Sequence, residues 1–211
     1  MKSLIQKSVL GLTLVAGVAG LSGCFPLVMG GAVTTVMVAT DRRTSGTVVE
    51  DNGIQLKASN RISESLGDRG HVNVTSYGRQ VLLTGEVPSE QDKQLVEKIA
   101  SNVENVRSVL NELAVMGNST LGQRSSDTLV TSRVKSNLVD AKDLYANAFK
   151  VTTERGVVYL MGRVTQREAN RATEVVTATS GVQKLVRILE IISEDELARM
   201  MQPPANDNKP K

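Results

Sequence analysis

Apolar residues recur four positions apart in two separate stretches of the chain. One series consists of Ile54, Ala58, Ile62 and Leu66, and the other of Val130, Val134 and Leu138. This spacing places each series on one face of a helix. The pattern therefore predicts two helices that each bury one side.

Short apolar runs of strand character follow each of these helices. Strands are predicted over 72–76 and 80–84 after the first helix, and over 150–153 and 157–161 after the second. Glycines between the members of each pair, Gly78 and Gly156, indicate tight hairpin turns. A second helix then begins with a capping pattern at Ser89 or Thr165. A last strand is predicted over 106–115 and over 182–192.

The two stretches are copies of one unit. Leu83-Thr84-Gly85-Glu86-Val87 recurs 77 positions later as Leu160-Met161-Gly162-Arg163-Val164, and the segment 106–113 recurs 76 positions later as 182–189. Matching blocks in the same order are typical of a tandem repeat. The sequence therefore predicts an α+β protein with two αββαβ domains, each a three-stranded sheet packed against two helices. The predicted boundaries are 47–116 and 124–193, with a linker at 117–123 and a mostly disordered tail at 194–211. A helical turn or two is expected at the start of this tail, over 194–201.

The order of elements, the Gly-x-Val after the second strand and the Val-x-x-Val leading into the last strand resemble the BON domain family. Gly181 precedes Val182 in the second copy, as is usual in that family, whereas Asn105 takes this place in the first. A left-handed backbone suits glycine best and is tolerated by asparagine. The resemblance extends over nearly the whole chain from Cys24 to Ile192.

The N-terminus has the features of a bacterial lipoprotein signal. Two lysines precede an apolar run that is short for a membrane span, and the run ends in Leu21-Ser22-Gly23-Cys24. This motif resembles the lipobox, which implies cleavage of a signal peptide at 1–23 and covalent lipid on Cys24. Residues 24–46 would then form a lipidated tether. Its apolar part, 25–39, is expected either against the membrane surface or packed on the domains.

The two copies differ in net charge. Between Glu50 and Met116 there are seven basic and ten acidic residues, a net charge of −3, and between Arg124 and Ile192 there are eleven and seven, a net charge of +4. Basic residues close to a membrane are attracted by anionic lipids. The second copy is therefore the candidate for a membrane contact, although neutral divergence of a solvated surface explains the charges equally well.

The first helix of the second copy carries the candidate binding residues. Leu129 lies about 140° from the centre of the buried face and should be exposed, and Arg133 and Lys135 lie about 100° to either side of the buried direction. An exposed apolar residue with basic neighbours is typical of an interfacial helix. The resemblance to BON-domain lipoproteins implies that anionic phospholipid is contacted through this domain. Those proteins have an aromatic residue where this chain has Leu129. A harmless exposed leucine is the alternative.

Catalytic chemistry is poorly represented in the sequence. The chain has one Cys and one His, so neither an internal disulfide nor a Cys/His zinc cluster is expected. His71 is expected to be a surface residue, and no pair of carboxylates has a spacing that indicates acid–base catalysis. We therefore expect no enzyme activity, no metal and no cofactor other than the lipid on Cys24.

These features predict a lipid-anchored outer-membrane protein that faces the periplasm. Phe25 rather than Asp after Cys24 favours the outer membrane. The resemblance implies that the protein binds anionic phospholipid and supports envelope integrity, with outer-membrane assembly or division-site proteins as further partners. Nucleic acid is not an expected partner. The first alternative is a scaffold for envelope assembly machinery that does not recognise lipid headgroups. The second alternative is an enzyme.

Overall fold

Residues 41–201 are described by the structure, which is a computed structural model. Domain 1 contains one sheet and two helices. Its elements are α1 (Ser45–Leu66), a 3₁₀ turn (Gly67–Arg69), β1 (His71–Tyr77), β2 (Gln80–Val87), α2 (Glu90–Ser101), β3 (Ser108–Asn111) and β4 (Ala114–Val115). Strand β2 is central, because β1 pairs with it antiparallel while β3 and β4 pair with it in parallel.

Domain 2 repeats this arrangement and adds a short helix. The elements are α3 (Leu121–Asp140), a 3₁₀ turn (Ala146–Ala148), β5 (Phe149–Glu154), β6 (Val157–Thr165), α4 (Gln166–Thr177), β7 (Lys184–Ile192) and α5 (Glu194–Met201). The central strand β6 pairs antiparallel with β5 and in parallel with β7. The αββαβ order and the α+β class predicted from the sequence are confirmed.

Each domain has its own core between one face of the sheet and its two helices. All residues of the two predicted helical series are buried. Alternate residues of the central strands, such as Val81 and Leu83 in β2, meet them from the sheet, because successive strand side chains point to opposite faces. Each such side chain contributes about 1.5–3 kcal/mol when it is removed from water.

A buried aspartate on the first helix of each domain holds the hairpin turn. Asp51 accepts hydrogen bonds from the Gly78 and Arg79 N–H groups at 2.8 and 2.7 Å. Asp127 accepts from the N–H groups of Arg155 and Gly156, both at 2.8 Å. All four turn residues have positive φ, as a two-residue type I′ hairpin requires. The aspartates therefore fix the hairpin against its helix.

The second faces of the two sheets pack against each other. Leu82 and Tyr77 of domain 1 form a buried cluster with Tyr159 and Met161 of domain 2. The Thr75 and Thr152 hydroxyl oxygens, 3.3 Å apart, meet across this interface. Because residues 75 and 152 are equivalent positions of the repeat, the domains contact each other in the manner of a symmetric dimer.

Several element boundaries differ from the predicted ones. Helix α1 begins at Ser45, inside the predicted tether, and α3 begins at Leu121, inside the predicted linker, because Thr120 and Gln123 form a capping box. The last strand of domain 1 is interrupted after Asn111, whose side-chain oxygen accepts from the Leu113 N–H at 3.2 Å. Helix α5 lies at 194–201, where the sequence predicts a helical turn or two at the start of the tail.

Candidate functional site

Helix α3 presents an apolar but uncovered surface. Leu129 is 57% exposed, Leu121 80% and Val139 66%. The exposure of Leu129 that the periodicity predicts is confirmed. Serine and threonine occupy much of the remaining outer side, and Asp140, the last residue, is the one exposed acid of this helix. The surface is therefore suited to contact with an apolar and anionic partner.

The two basic residues of this surface are exposed and not neutralised. Within residues 41–201, Arg133 and Lys135 have no ion pair or hydrogen bond to another side chain. Lys57, the domain 1 counterpart of Leu129, instead forms an ion pair of 2.5 Å with Glu104. Arg61, the domain 1 counterpart of Arg133, donates to the Asn102 carbonyl oxygen at 3.2 Å. The two helices therefore differ in that α3 exposes Leu129 and two uncommitted cations, whereas both basic residues of α1 have partners.

The chain enters the domain pair beside this helix. Asp41, Lys135, Val139 and Asn147 line a groove of about 420 Å³ whose floor is formed by Leu138 and Phe149. Asp41 is the first described residue. The described chain therefore begins in the same groove as Lys135 and Val139.

Two consecutive arginines bind this incoming segment to both domains. The Arg42 guanidinium donates to both carboxylate oxygens of Glu168 in α4, each at 2.6 Å, and to the Arg163 carbonyl at 3.1 Å. Arg43 donates to Asp51 at 2.8 Å and lies 4.3 Å from the centre of the Tyr77 ring. We call residues 41–43 the strap.

The strap's carboxylate partners are buried and charged. Burial raises the pKa of Glu168, but the Arg42 guanidinium and the Thr165 N–H outweigh it and hold the pKa below its usual value. In the same way, burial raises the pKa of Asp51, and hydrogen bonds from Arg79, Ser76 and Arg43 lower it further than burial raises it. Both carboxylates therefore remain ionised at neutral pH and retain the arginines.

A second cluster lies where β1, β2 and β5 meet. The Nδ1 atom of His71 is 3.4 Å from the Glu86 Oε2 and 4.0 Å from the Glu154 Oε1. Both glutamates are buried, and the His71 side chain is only 19% exposed. The expectation that His71 is a surface residue is wrong, because the second domain covers this end of β1.

The environment shifts the pKa values of the two carboxyl groups of this cluster in opposite directions. Burial raises the pKa of Glu154 and outweighs its hydrogen bond from Asn73. Burial also raises the pKa of Glu86, but the Ser119 N–H and the Arg155 guanidinium reverse this effect and leave that pKa low. The sequence separates these carboxylates by 68 positions, so no local spacing indicates the pair.

The remaining predicted site residue, Cys24, and its signal peptide lie outside the described residues, as does most of the predicted tether. Of the helices in residues 41–201, none combines the length and the apolarity needed to cross a membrane. Sequence reasoning missed Asp51, Asp127 and Glu168. The recurrence of an aspartate 76 positions apart was the available signal for the first two.

The chain matches the BON domain at residues 50–117 and 126–192. It is 36% identical over 174 residues to the outer membrane lipoprotein DolP of Haemophilus influenzae, with 82% of this chain and 90% of the relative covered. A 21 kDa hemolysin of Actinobacillus pleuropneumoniae is 29% identical, with 72% and 79% covered. The osmotically-inducible protein Y of Escherichia coli is 28% identical, with 66% and 72% covered.

Proposed function

Because the chain belongs to the BON-domain family, with two such domains, we propose that it is an outer-membrane lipoprotein whose second domain binds anionic phospholipid through α3. The role is non-catalytic and supports the integrity of the envelope. The similarity to an outer membrane lipoprotein over 90% of that protein supports the location.

The observation that carries this proposal is the pair of unneutralised cations beside exposed apolar residues. Arg133 and Lys135 attract lipid phosphate, and Leu129 and Val139 enter the apolar boundary of the headgroup region. The position of Asp41 beside Lys135 adds to this argument. Because residue 41 lies at this face, a lipid anchor at Cys24 would keep the face close to the membrane.

Vesicle cosedimentation with residues 41–211 tests the lipid contact without the confounding covalent lipid. Binding is expected to vesicles that contain phosphatidylglycerol, to be absent with pure phosphatidylcholine, and to weaken as salt screens the charges. Leu129→Glu should abolish binding while the circular dichroism spectrum is unchanged, because Leu129 contributes nothing to the core. Combined Arg133→Glu and Lys135→Glu should weaken binding at least about 30-fold, since each cation contributes about 1 kcal/mol.

Domain 1 provides the matched control. Leu56 is 64% exposed on α1, where Lys57 is ion-paired with Glu104 and Arg61 donates to the Asn102 carbonyl oxygen. Leu56→Glu should leave vesicle binding unchanged. Equal losses from Leu56→Glu and Leu129→Glu, or full binding by folded Leu129→Glu protein, would contradict the assignment of the site to α3.

A scaffold role is the second candidate, and one surface of domain 1 favours it. Val49 and Leu56 are 71% and 64% exposed and lie seven residues apart, on one side of α1. This side is apolar without being basic, which suits a protein partner better than a lipid headgroup. This role would be supported instead if the wild-type chain does not bind anionic vesicles and if Leu56→Glu abolishes binding to an envelope protein.

The covalent anchor is tested separately at Cys24. Cys24→Ser removes the thiol that would carry the lipid, so the variant should leave the membrane fraction and lack the mass of the acyl groups. Fractionation and intact-mass measurement of the expressed protein check this. Unchanged mass and unchanged membrane attachment would exclude Cys24 as the anchor.

A further inference from the structure

The cluster of His71, Glu86 and Glu154 contains three side chains that ligate metals, and their ligand atoms converge. One nitrogen and two carboxylate oxygens all lie within 4.8 Å of one another. Two ligands that share a tetrahedral zinc ion at about 2.1 Å are about 3.4 Å apart. The 3.4 and 4.0 Å distances from His71 Nδ1 to the two oxygens are close to this geometry.

The outer atoms of the cluster are arranged as metal ligands usually are. Asn73 Nδ2 donates to Glu154 Oε2 at 2.8 Å, and Arg155 Nη1 donates to Glu86 Oε1 at 3.2 Å. In each carboxylate, this partner holds the oxygen that does not face His71. Glu86 Oε2, which does face His71, also accepts from the Ser119 N–H at 3.0 Å, and its second lone pair is available to a metal. Such hydrogen bonds fix the orientation of both carboxylates, as they do around bound metals.

The inner side of the cluster carries more negative than positive charge. Among residues 41–201, His71 Nδ1 is buried without a hydrogen-bond partner, and two buried carboxylates face it. Arg155 offsets one of their two negative charges and Asp127 adds another nearby. Buried charge without compensation is costly.

The repeat offers an internal comparison. At the equivalent end of the domain interface, Ala148, Arg163 and Tyr77 occupy the places of His71, Glu86 and Glu154. There the Tyr77 hydroxyl lies 3.4 Å from the Ala148 carbonyl oxygen, to which it donates, and no ligand set is formed. The fold can therefore pack this position without two carboxylates and an imidazole, so packing alone does not account for them.

We propose that His71, Glu86 and Glu154 bind a divalent zinc ion that bridges the two domains. The imidazole nitrogen favours zinc over calcium or magnesium, which prefer oxygen ligands alone. His71 and Glu86 come from domain 1 and Glu154 from domain 2, so the ion would join the two sheets. A groove of about 440 Å³, lined by His71, Asn73 and Glu154 among others, provides access and space for a water ligand.

Calorimetric titration of ZnCl₂ into the purified full chain, treated with chelator and made without a polyhistidine tag, tests the proposal. One equivalent of zinc should bind, the melting temperature should rise, and chelator should reverse the rise. Cobalt should give the visible absorption of a low-symmetry site. Glu154→Gln and His71→Asn should each lower the affinity at least 10-fold, whereas the exposed Glu104→Gln should leave it unchanged.

Nitrogen NMR of the His71 imidazole in the wild-type protein tests the proposal even if the variants fail to fold. The protein has one histidine, so every imidazole resonance belongs to His71, and couplings to the ring protons distinguish Nδ1 from Nε2. Zinc should shift the Nδ1 resonance to the range of a metal-bound nitrogen and leave Nε2 protonated. An imidazole that carries protons on both nitrogens and does not respond to zinc would overturn the proposal and make the imidazolium the bridging cation. Undiminished binding by folded His71→Asn protein would overturn it equally.

Discussion

Single buried aspartates hold the hairpins of this protein, and Asp51 does so while it also binds the strap. Its carboxylate accepts from the Ser76 hydroxyl, from the N–H groups of Gly78 and Arg79, and from Arg43. Four donors therefore lose their partner if this side chain is removed. A buried donor without a partner is more costly than the bond that it made was favourable.

Asp51→Ala should accordingly lower the free energy of unfolding by about 3 kcal/mol at neutral pH. Chemical denaturation followed by circular dichroism checks this, with the exposed Asp68→Ala as control. A loss no larger than that of the control would contradict the role assigned to Asp51.

The Asp51 carboxylate also makes the stability of the folded chain depend on pH, in a direction that its pKa determines. Its pKa is lower in the folded chain than in the unfolded chain, so its stabilisation is complete above the unfolded value of about 3.9 and is lost as the pH falls toward the folded value. Below pH 4, wild-type stability should therefore decline more steeply than that of Asp51→Ala.

At the scale of elements, the connection from the second helix to the last strand has diverged between the domains. Asn105 and Gly181 are equivalent and both have positive φ, 67° and 95°. A Cβ atom at Gly181 would lie 2.7 Å from the Val130 Cγ2 atom of α3. Helix α3 thus approaches this turn closely enough to require glycine.

The two positions should therefore respond in opposite directions. Asn105→Gly should stabilise the chain by about 0.5–1 kcal/mol, because glycine adopts a left-handed backbone without strain. Gly181→Asn should destabilise it by about 2 kcal/mol through the contact with Val130. Thermal unfolding of both variants checks this, and a stabilising Gly181→Asn would contradict it.

At the scale of the whole molecule, the interface between the sheets determines which features the sequence could predict. Helices α1 and α3 follow from four-residue spacing because that periodicity is local. The interface joins residues about 77 positions apart in the chain, and therefore no local sequence pattern indicates it. The uninterrupted apolar runs at Val81–Leu83 and Val157–Met161 were the available signal, since strands buried on both faces lose their alternation. His71 was misplaced for the same reason.

Tyr159 makes this interface sensitive to alkali. Burial raises its pKa to about 12, whereas the unfolded chain ionises near 10. The phenol therefore stabilises the folded state below pH 10, and this contribution of about 2 kcal/mol is lost as the pH rises to 12. Tyr159→Phe should reduce the loss of stability between these pH values. Denaturation at a series of alkaline pH values checks this, and identical profiles would contradict it.

The strap also determines how the protein responds to mechanical force. A pull on the chain before Asp41 reaches Arg42 and Arg43 first, and these residues divide the load between Glu168 in domain 2 and Asp51 in domain 1. Both ion pairs must break before the tension is transmitted to helix α1. A pull on the N-terminus is therefore resisted by side chains of both domains and not by helix α1 alone.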